Sequence, residues 1–295
     1  MKRRAPGKSP LATPRVEDDL PEILSGYFDG KTTGTPLCAI IRNTNTRSKD
    51  YSLLKDVMRP GHADFGGKIR YNGFNDYRGG GHFSGRITAP LVFAGAICKQ
   101  VLKEKGIFIA AHIKSIKSIE DKSFLDDKVD LAIISELNKY ELPLIDKSLE
   151  EKMRNEILEA KEDMDSVGGT IECGIFGVKA GIGNPFFDSV ESTLAHLLFS
   201  VPAVKGVQFG KGFDLTKMTG YEANDEMYFD GEEVKTKTNN NGGLLGGITN
   251  GMPIIFTAAI KPTSSIGKEQ NTVNIAAKEN TTLKVEGRHD PCIVQ

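Results

Sequence analysis

Three stretches of the sequence place apolar residues at helical spacing. Thr88–Lys105 is an almost continuous apolar run, with Pro90 in its first turn and Gly106 after a lysine-rich end, which is typical of a helix. So continuous a run predicts a helix that is covered on most sides, as in the middle layer of a sandwich. Ser148–Asp165 is amphipathic and Ser189–Ser200 has the same helical spacing, so each predicts a further helix.

Short runs rich in β-branched residues lie between the predicted helices. The strands that they predict are Leu37–Arg42, Ile107–Ile113, Thr170–Val178, Val204–Phe209 and Ile254–Ile260. Helices and strands do not alternate strictly and no Gly-x-Gly-x-x-Gly motif follows a first strand, so a Rossmann domain is not expected. No fixed-period repeat and no Pro/Ser-rich linker divides the chain, which favours a single domain.

Two glycine-rich segments interrupt this pattern. Arg59–Arg86 contains eight glycines in 28 residues, and Asn239–Gly251 contains five in thirteen. Long irregular loops are uncommon in a compact domain unless they are functional, and glycine lets backbone amides approach a ligand closely. We therefore expect the chemistry of the protein at these two segments.

Composition narrows the class of protein. The chain has 295 residues, with 38 Lys and Arg against 39 Asp and Glu, so its formal charge of -1 excludes a general nucleic-acid binder. No window approaches the roughly 18 consecutive apolar residues of a membrane span, and no secretory signal opens the chain. The four cysteines are far apart, without a Cys-x-x-Cys pair, and no residue spacing indicates a metal site. These features predict a cytoplasmic enzyme without nucleic-acid or membrane partners.

Charge is distributed unevenly along the chain. Met1–Arg15 carries five basic residues and no acid, and Arg59–Arg86 carries five Lys or Arg against two Asp. Ile119–Asp165 has fifteen acidic against seven basic residues, which we interpret as a solvated face. The two basic segments are better candidates for binding an anion.

Histidine and arginine occur together in the first glycine-rich segment. His62 follows a Pro-Gly pair and precedes Asp64, so this carboxylate could hold the imidazolium of a general acid. The alternative is an ordinary exposed turn histidine. Arg78–Arg86 leads into the predicted helix, where guanidinium groups and bare amides at a helix start indicate an anion site. We interpret His112 and His196 as core or interface histidines.

Two later segments have weaker patterns. Lys261–Ser265 ends an apolar strand with a lysine and several small hydroxyl donors, which suits a phosphate or the polar edge of a ring but is also typical of a loop. Arg288–Cys292 contains three ionisable groups before a proline. By itself that segment would be interpreted as an exposed charged turn.

In this order the segments resemble the chorismate synthase family. The stretches that carry the resemblance are Arg3–Ser9, Thr13–Pro36, Asp50–Phe65, Asp76–Ala89, Val204–Phe213, Asn241–Ile254, Lys261–Ile266 and Gly287–Cys292. The resemblance implies an α+β fold in which helices lie between antiparallel sheets (a β-α-β sandwich), assembled as a homotetramer. It implies an anti-1,4-elimination of phosphate from 5-enolpyruvylshikimate 3-phosphate to give chorismate, a step of the shikimate pathway. The cofactor that it implies is reduced FMN, which an external flavin reductase can supply.

The resemblance also assigns roles to individual residues. His62 matches the catalytic histidine that protonates the reduced flavin, and Asp290 matches an aspartate that acts as a base near it. The implied flavin contacts are His82, Phe83, Ser84, Pro202, Ala203, Gly246, Lys261, Pro262, Thr263, Ser264, Ser265 and Arg288. The implied substrate ligands are Arg3, Arg4, Arg59 and Arg86.

The sequence departs from the family pattern at both ends. A Gly-Glu-Ser-His-Gly motif, which usually carries a second catalytic histidine near the start, does not occur, and family members usually continue beyond Gln295 into a further helix. We therefore expect one chorismate synthase domain over residues 1–295 that lacks these segments. One alternative function is a catalytically silent form that still binds flavin. Another is an unrelated oxidoreductase that binds a phosphate ester.

Overall fold

The computed structural model describes residues 1–7, 9–13, 15–43, 52–126, 131–285 and 290–294. The helices are α1 (Asp64–Arg70), α2 (Thr88–Glu104), α3 (Leu131–Glu136), α4 (Glu150–Glu162), α5 (Val190–Phe199) and α6 (Gly220–Ala223). The strands are β1 (Pro21–Ser25), β2 (Tyr27–Phe28), β3 (Lys31–Thr32), β4 (Cys38–Ile41), β5 (Phe108–Ile116), β6 (Ile119–Glu120), β7 (Gly169–Phe176), β8 (Val204–Phe209), β9 (Met227–Asp230), β10 (Glu233–Thr236), β11 (Leu244–Leu245), β12 (Ile248–Thr249), β13 (Ile254–Ile260), β14 (Gln270–Asn274) and β15 (Glu279–Leu283).

The chain divides into two compact units. The first comprises Met1–Cys98, Ala160–Ser166 and Thr263–Pro291, and the second comprises Lys99–Glu159, Val167–Pro262 and Cys292–Gln295. The single domain expected over residues 1–295 stays a prediction. In the described part of the chain, no helix has both the length and the apolar character needed to cross a bilayer.

A five-stranded antiparallel sheet organises the second unit. Its order is β6-β5-β7-β13-β8, and β7 and β13 pair along their whole lengths from Gly169↔Ile260 to Ile175↔Ile254. All five strands predicted from β-branched runs are present, four of them in this sheet and the fifth as β4. The predicted α+β class is confirmed.

One face of this sheet is apolar and is covered by α5. Ile254 and Phe256 of β13 form a buried cluster with Leu244, and Leu194 and Leu198 of α5 pack against it. Because alternate residues of a strand point to opposite faces, the apolar run in β13 supplies this face with every second side chain. Helix α5 begins where the sequence predicts, with Ser189 Oγ accepting from Ser192 N at 3.0 Å.

The opposite face of the sheet carries a buried charged cluster. His112 Nδ1 lies 3.2 Å from Asp121 Oδ2, and His112 Nε2 lies 3.1 Å from Glu172 Oε2. Asp121 also accepts from Ile145 N (2.7 Å) and Asp146 N (2.9 Å), so its carboxylate joins the loop that contains these two residues to the sheet. The burial of Asp121 shows that the acidic stretch is not a solvated face throughout.

Two opposing effects act on the titration of this cluster. Burial lowers the pKa of His112, but the hydrogen bonds to Asp121 and Glu172 outweigh it and leave the pKa above its ordinary value. Burial likewise raises the pKa of Asp121, but the His112 contact and the backbone donors lower it below its ordinary value. The charged forms of both groups are therefore favoured in the folded protein.

Helix α2 is present as predicted, but its predicted covering is wrong for this chain. Ala89 is its buried residue, whereas Leu91 and Val101 are 51% and 54% exposed. An apolar run indicates that a surface needs a cover but not whether the same chain provides it. The sequence pattern therefore predicted the helix correctly and its surroundings incorrectly.

The first unit contains two strand pairs and a small buried cluster, part of which lies next to its glycine-rich segment. β1 pairs with β4, and β14 pairs with β15, both antiparallel. Leu54, Val57 and Leu283 belong to one buried cluster. Met58 N donates to Val273 O of β14 at 3.2 Å, which fixes the backbone just before Arg59. The segment Arg59–Arg86 is not irregular throughout, because it contains α1.

We predict that Asp121→Asn lowers the free energy of unfolding by about 3–5 kcal/mol at neutral pH, since it removes one of the two carboxylates that hold the buried His112. Urea unfolding followed by circular dichroism measures this. The lowered pKa of Asp121 stabilises the protein above the pKa of the unfolded chain, so the difference between the two proteins should shrink as the pH falls through the folded-state pKa.

Asp214→Asn is the matched control for this prediction. Asp214 pairs with Lys217 at 2.7 Å, and both side chains are mostly exposed. Its loss should change stability by less than about 1 kcal/mol. Equal destabilisation by the two substitutions would contradict a special contribution from the buried cluster.

Candidate functional site

A tight turn brings three ionisable side chains together at the start of α1. His62 N donates to Arg59 O at 3.3 Å, and Gly61 has a φ of 69°, a value that favours glycine. Helix α1 begins at Asp64, whose carboxylate accepts from Arg59 Nε at 2.7 Å and from Arg59 Nη2 at 2.8 Å. Arg59 and Asp64 are each 7% exposed. The sequence thus folds into a buried bidentate ion pair at the base of the turn.

His62 completes this cluster. Its Nδ1 lies 2.6 Å from Asp64 Oδ1 and 3.1 Å from Arg59 Nη2. Burial raises the pKa of Asp64, but the hydrogen bonds from Arg59 and His62 overcome this effect and hold the pKa well below its ordinary range. The carboxylate is therefore ionised at neutral pH. The alternative interpretation of His62 as an ordinary exposed turn residue does not match this geometry.

The predicted Thr-Ser-Ser segment lies in the same unit as this cluster. Arg59 Nη1 donates to Ser265 Oγ at 3.0 Å. Thr263 Oγ1 is buried and, among the described residues, has no hydrogen-bond partner. Ser264 between them is half-buried. A buried hydroxyl without a partner costs free energy unless a ligand or a water satisfies it, so Thr263 is a candidate ligand contact.

The glycine run Gly79–Gly81 lies beside His62. All three glycines have positive φ, and Gly80 is buried. A Cβ at Gly80 would lie 3.6 Å from His62 Nε2, and one at Gly81 would lie 2.4 Å from Asp76 O. Gly80 therefore lies beside the imidazole, and side chains along the run would be strained by the positive φ angles and by the close approach of Gly81 to Asp76.

Three of the predicted flavin contacts follow this run. The ring of Phe83 lies edge-on to His62, with 6.5 Å between centroids. A Cβ at Gly67 would lie 2.5 Å from Phe83 Cε2, so the glycine in α1 makes room for this ring. Ser84 Oγ accepts from Arg86 N at 3.2 Å, while His82 is exposed.

A second cluster contains two of the predicted substrate arginines. Arg4 and Arg86 both donate to Asp19, and Arg86 also pairs with Glu17. Arg15 adds a third guanidinium, with Nε at 3.0 Å from Glu17 Oε2. Burial lowers the pKa of Arg86, repulsion from Arg15 adds to this, and the two carboxylates oppose it. The predicted substrate ligand Arg3 is exposed.

Sequence reasoning missed both carboxylates of this second cluster. Glu17 and Asp19 are 5% and 3% exposed, and Asp19 has a φ of 48°. The available signal was the acidic residues that directly follow the basic segment Met1–Arg15. Acidic residues in a basic neighbourhood are common on surfaces, so the signal does not distinguish a buried cluster from a solvated turn.

The remaining candidates of the first unit lie near its end. Asp290 is half-buried, and its Oδ1 accepts from Thr13 N at 2.9 Å. Arg288 lies outside the described residues.

The other predicted flavin contacts belong to the second unit. Lys261 N donates to Ala203 O at 3.0 Å, which brings Pro202 and Pro262 close to the same point of the backbone. Burial and the nearby Lys205 lower the pKa of Lys261. Gly246 is in the separate β11–β12 hairpin, where it lines a cavity of about 440 Å³.

Comparison with known proteins agrees with the resemblance. The sequence profile of the chorismate synthase family matches residues 1–295. The chain is 45% identical over 311 residues to the chorismate synthase of Methanocaldococcus jannaschii, covering 100% of this chain and 80% of that relative. It is 47% identical to the chorismate synthase of Lachnoclostridium phytofermentans, over 100% of this chain and 78% of the relative.

A crystal structure of chorismate synthase has the same fold. It matches with a TM-score of 0.69 and 33% sequence identity, over 83% of this chain and 71% of that chain. The fold predicted from the ordered segments is thereby confirmed. The profile, the relatives and the solved structure all agree: this chain is a lyase that belongs to the chorismate synthase family.

Proposed function

We propose that the chain catalyses the anti-1,4-elimination of phosphate from 5-enolpyruvylshikimate 3-phosphate to give chorismate. The observation that carries the proposal is His62 held against Asp64 under a glycine run, in a chain of this family. Breaking a C–O bond to phosphate requires charge stabilisation and a controlled proton, and this cluster offers both. The reaction belongs to the shikimate pathway, and we propose that the enzyme is cytoplasmic.

Residues of the first unit fit reduced FMN as the cofactor. Thr263 Oγ1, which has no hydrogen-bond partner in the described part of the chain, offers a hydrogen bond to the polar edge of a ring, and Phe83 offers an aromatic surface. The positive-φ glycines admit a flat group close to the backbone. Reduced FMN, when bound, is the source of a reversible electron donation that assists phosphate loss without net redox change. An external flavin reductase is the proposed source of the reduced form.

We propose two roles in proton handling for this chain. His62 holds a proton for the reduced cofactor, because its imidazole is fixed beside the glycine run rather than free in solvent. Asp290 acts as the base, with its carboxylate oriented by Thr13 N. The predicted cofactor contacts Pro202, Ala203, Gly246, Lys261 and Pro262 belong to the second unit and stay predictions.

The arginine cluster is the proposed site for the anionic groups of the substrate. Among the described residues, the guanidinium groups of Arg4, Arg15 and Arg86 pair with the two carboxylates of Glu17 and Asp19, so three positive groups meet two negative ones. A substrate with one phosphate and two carboxylates would complete the charge balance, and guanidinium groups bind such oxyanions in bidentate fashion. Arg3 is a further proposed ligand at its edge.

We also propose that the enzyme is a homotetramer. The support for this proposal is the exposed apolar surface of α2, where Leu91, Val92 and Val101 are each at least 40% exposed. Apolar surface of this kind is typical of protein interfaces.

Anaerobic incubation with 5-enolpyruvylshikimate 3-phosphate and reduced FMN should release inorganic phosphate and form chorismate. Phosphate analysis and the absorbance of chorismate measure the two products. Flavin binding without phosphate release would contradict the proposed function and favour the silent form. Oxidation of NAD(P)H in step with substrate consumption would instead indicate an oxidoreductase.

His62→Ala should lower kcat by about 10²–10⁴-fold, which is the usual contribution of a positioned acid or base, while KM changes by less than about threefold. Steady-state kinetics under anaerobic conditions give both constants. His196→Ala is the control, because His196 is exposed on α5 and should leave kcat unchanged. A change in KM alone for His62→Ala would remove the histidine from proton transfer.

Arg86→Ala should weaken substrate binding by about 10- to 100-fold, as expected for the loss of charged hydrogen bonds. Equilibrium titration with the substrate measures the affinity. Arg42→Ala is the matched control, since Arg42 forms an exposed pair with Glu22 at 2.9 Å. If both variants bind the substrate equally well, Arg86 does not contact it.

A further inference from the structure

We propose that Arg59 and Asp64 are positioning residues that hold His62 with its proton on Nδ1, so that Nε2 is the nitrogen that exchanges protons with the bound molecule. The effect on turnover rests on the proposed function. The position of the proton within the imidazole does not, because it follows from the contacts of the folded chain alone.

The first step of the argument is the contact between His62 and Asp64. An ionised carboxylate can only accept hydrogen bonds, so a distance of 2.6 Å between Asp64 Oδ1 and His62 Nδ1 requires a hydrogen on Nδ1. Arg59 Nη2 also lies near Nδ1, but at 3.1 Å, and it can only donate. Its closer partner is Asp64 Oδ1 at 2.8 Å, so the arginine does not need the nitrogen as an acceptor.

The second step is that Asp64 cannot easily turn away from His62. Its Oδ2 accepts from Arg59 N at 3.1 Å and from Arg59 Nε at 2.7 Å, while its Oδ1 receives Nη2. A bidentate arginine–carboxylate pair fixes both partners geometrically. Because the pair is buried, rotation of the carboxylate would leave a desolvated charge without donors. The oxygen that faces Nδ1 is therefore held in place.

The third step concerns Arg59 itself. Nε and Nη2 are directed at Asp64, and Nη1 is directed at Ser265 Oγ at 3.0 Å. The side chain is 6% exposed, unlike that of Arg86 at 24%. A guanidinium whose three nitrogens all contact groups of its own cluster is suited to orienting a neighbouring side chain such as His62. We therefore assign Arg59 to positioning rather than to the substrate contact that the resemblance implied.

The last step is the direction of Nε2. This nitrogen faces the backbone of Gly80, where a Cβ would lie 3.6 Å away, and the ring edge of Phe83 borders the imidazole. Gly80 therefore leaves the space next to Nε2 free of a side chain. A histidine whose Nδ1 is anchored and whose Nε2 borders a glycine backbone is arranged as a proton donor and acceptor at one defined atom.

The direct test is long-range ¹H–¹⁵N NMR on the intact chain labelled with ¹⁵N-histidine, at a pH where His62 is neutral. The His62→Gln variant assigns the signals, because only those of residue 62 disappear. We expect the shift of a protonated nitrogen for Nδ1 and of an unprotonated nitrogen for Nε2. The opposite tautomer in the wild-type protein would overturn the proposal. This measurement needs no turnover, so it stays decisive even if the proposed reaction fails.

Two variants test whether the Arg59–Asp64 pair controls function. Asp64→Asn leaves one acceptor oxygen, whereas the carboxylate offers two to Arg59 and His62, so the tautomer preference of His62 should be lost. We expect kcat to fall by roughly 10²-fold, with KM changed by less than about threefold. Arg59→Lys removes the guanidinium fork and should also lower kcat more than it raises KM. A substrate ligand at Arg59 would give the reverse split, which would overturn its assignment.

Glu22→Gln is the control for these variants. It disrupts the exposed Arg42–Glu22 pair of the same unit, and it should leave both the NMR signals and kcat unchanged. Circular dichroism shows whether each variant is folded. If Asp64→Asn does not fold, the wild-type tautomer and the Arg59→Lys kinetics still decide between the two assignments. An unchanged tautomer in folded Asp64→Asn would contradict the role of the carboxylate.

Discussion

The buried ion pair between Arg59 and Asp64 is the constraint on which the first unit depends. Removing two charges from water costs several kcal/mol, and their attraction offsets this cost only when further hydrogen bonds satisfy the remaining groups. Here those bonds come from the backbone of Arg59, from His62 and from Ser265. The requirement to satisfy one buried pair therefore fixes a turn, the start of α1 and the segment that follows β13.

The second unit solves the same problem with another set of residues. His112 is held between Asp121 and Glu172 on the sheet face opposite α5, and Asp121 also accepts from the backbone of the loop at residues 145–146. In both units a buried carboxylate accepts hydrogen bonds from a histidine and from backbone N–H groups. The two clusters differ in what the second nitrogen of the imidazole faces. In His112 it faces Glu172, whereas in His62 it faces a glycine. One arrangement stabilises the fold, and the other leaves a nitrogen for chemistry.

The sequence predicted the elements that follow from periodic patterns and the family that follows from motifs in a fixed order. It did not predict which side chains are buried. The strands β7 and β13 follow from β-branched runs. The role of His62 came from the resemblance, because its place between a Pro-Gly turn and Asp64 also matched an ordinary exposed turn histidine. The burial of Glu17 and Asp19 could not be predicted, because a carboxylate in a turn has the same pattern whether solvent or an arginine surrounds it. The exposure of α2 was missed for the converse reason, since an apolar run does not show which chain covers it.

The balance of charge around each side chain distinguishes Arg59 from Arg86 better than their exposure or their position does. Arg59 forms a pair in which one guanidinium meets one carboxylate, and His62 and Ser265 are its other partners. Arg86 belongs to a cluster in which guanidinium groups outnumber carboxylates, so an incoming anion relieves repulsion there, as the effect of Arg15 on its pKa indicates. An anion placed next to Arg59 would instead compete with Asp64 for the same donors. In the proposed function the two arginines therefore have different tasks, one orienting the proton-carrying group and the other attracting the phosphate ester.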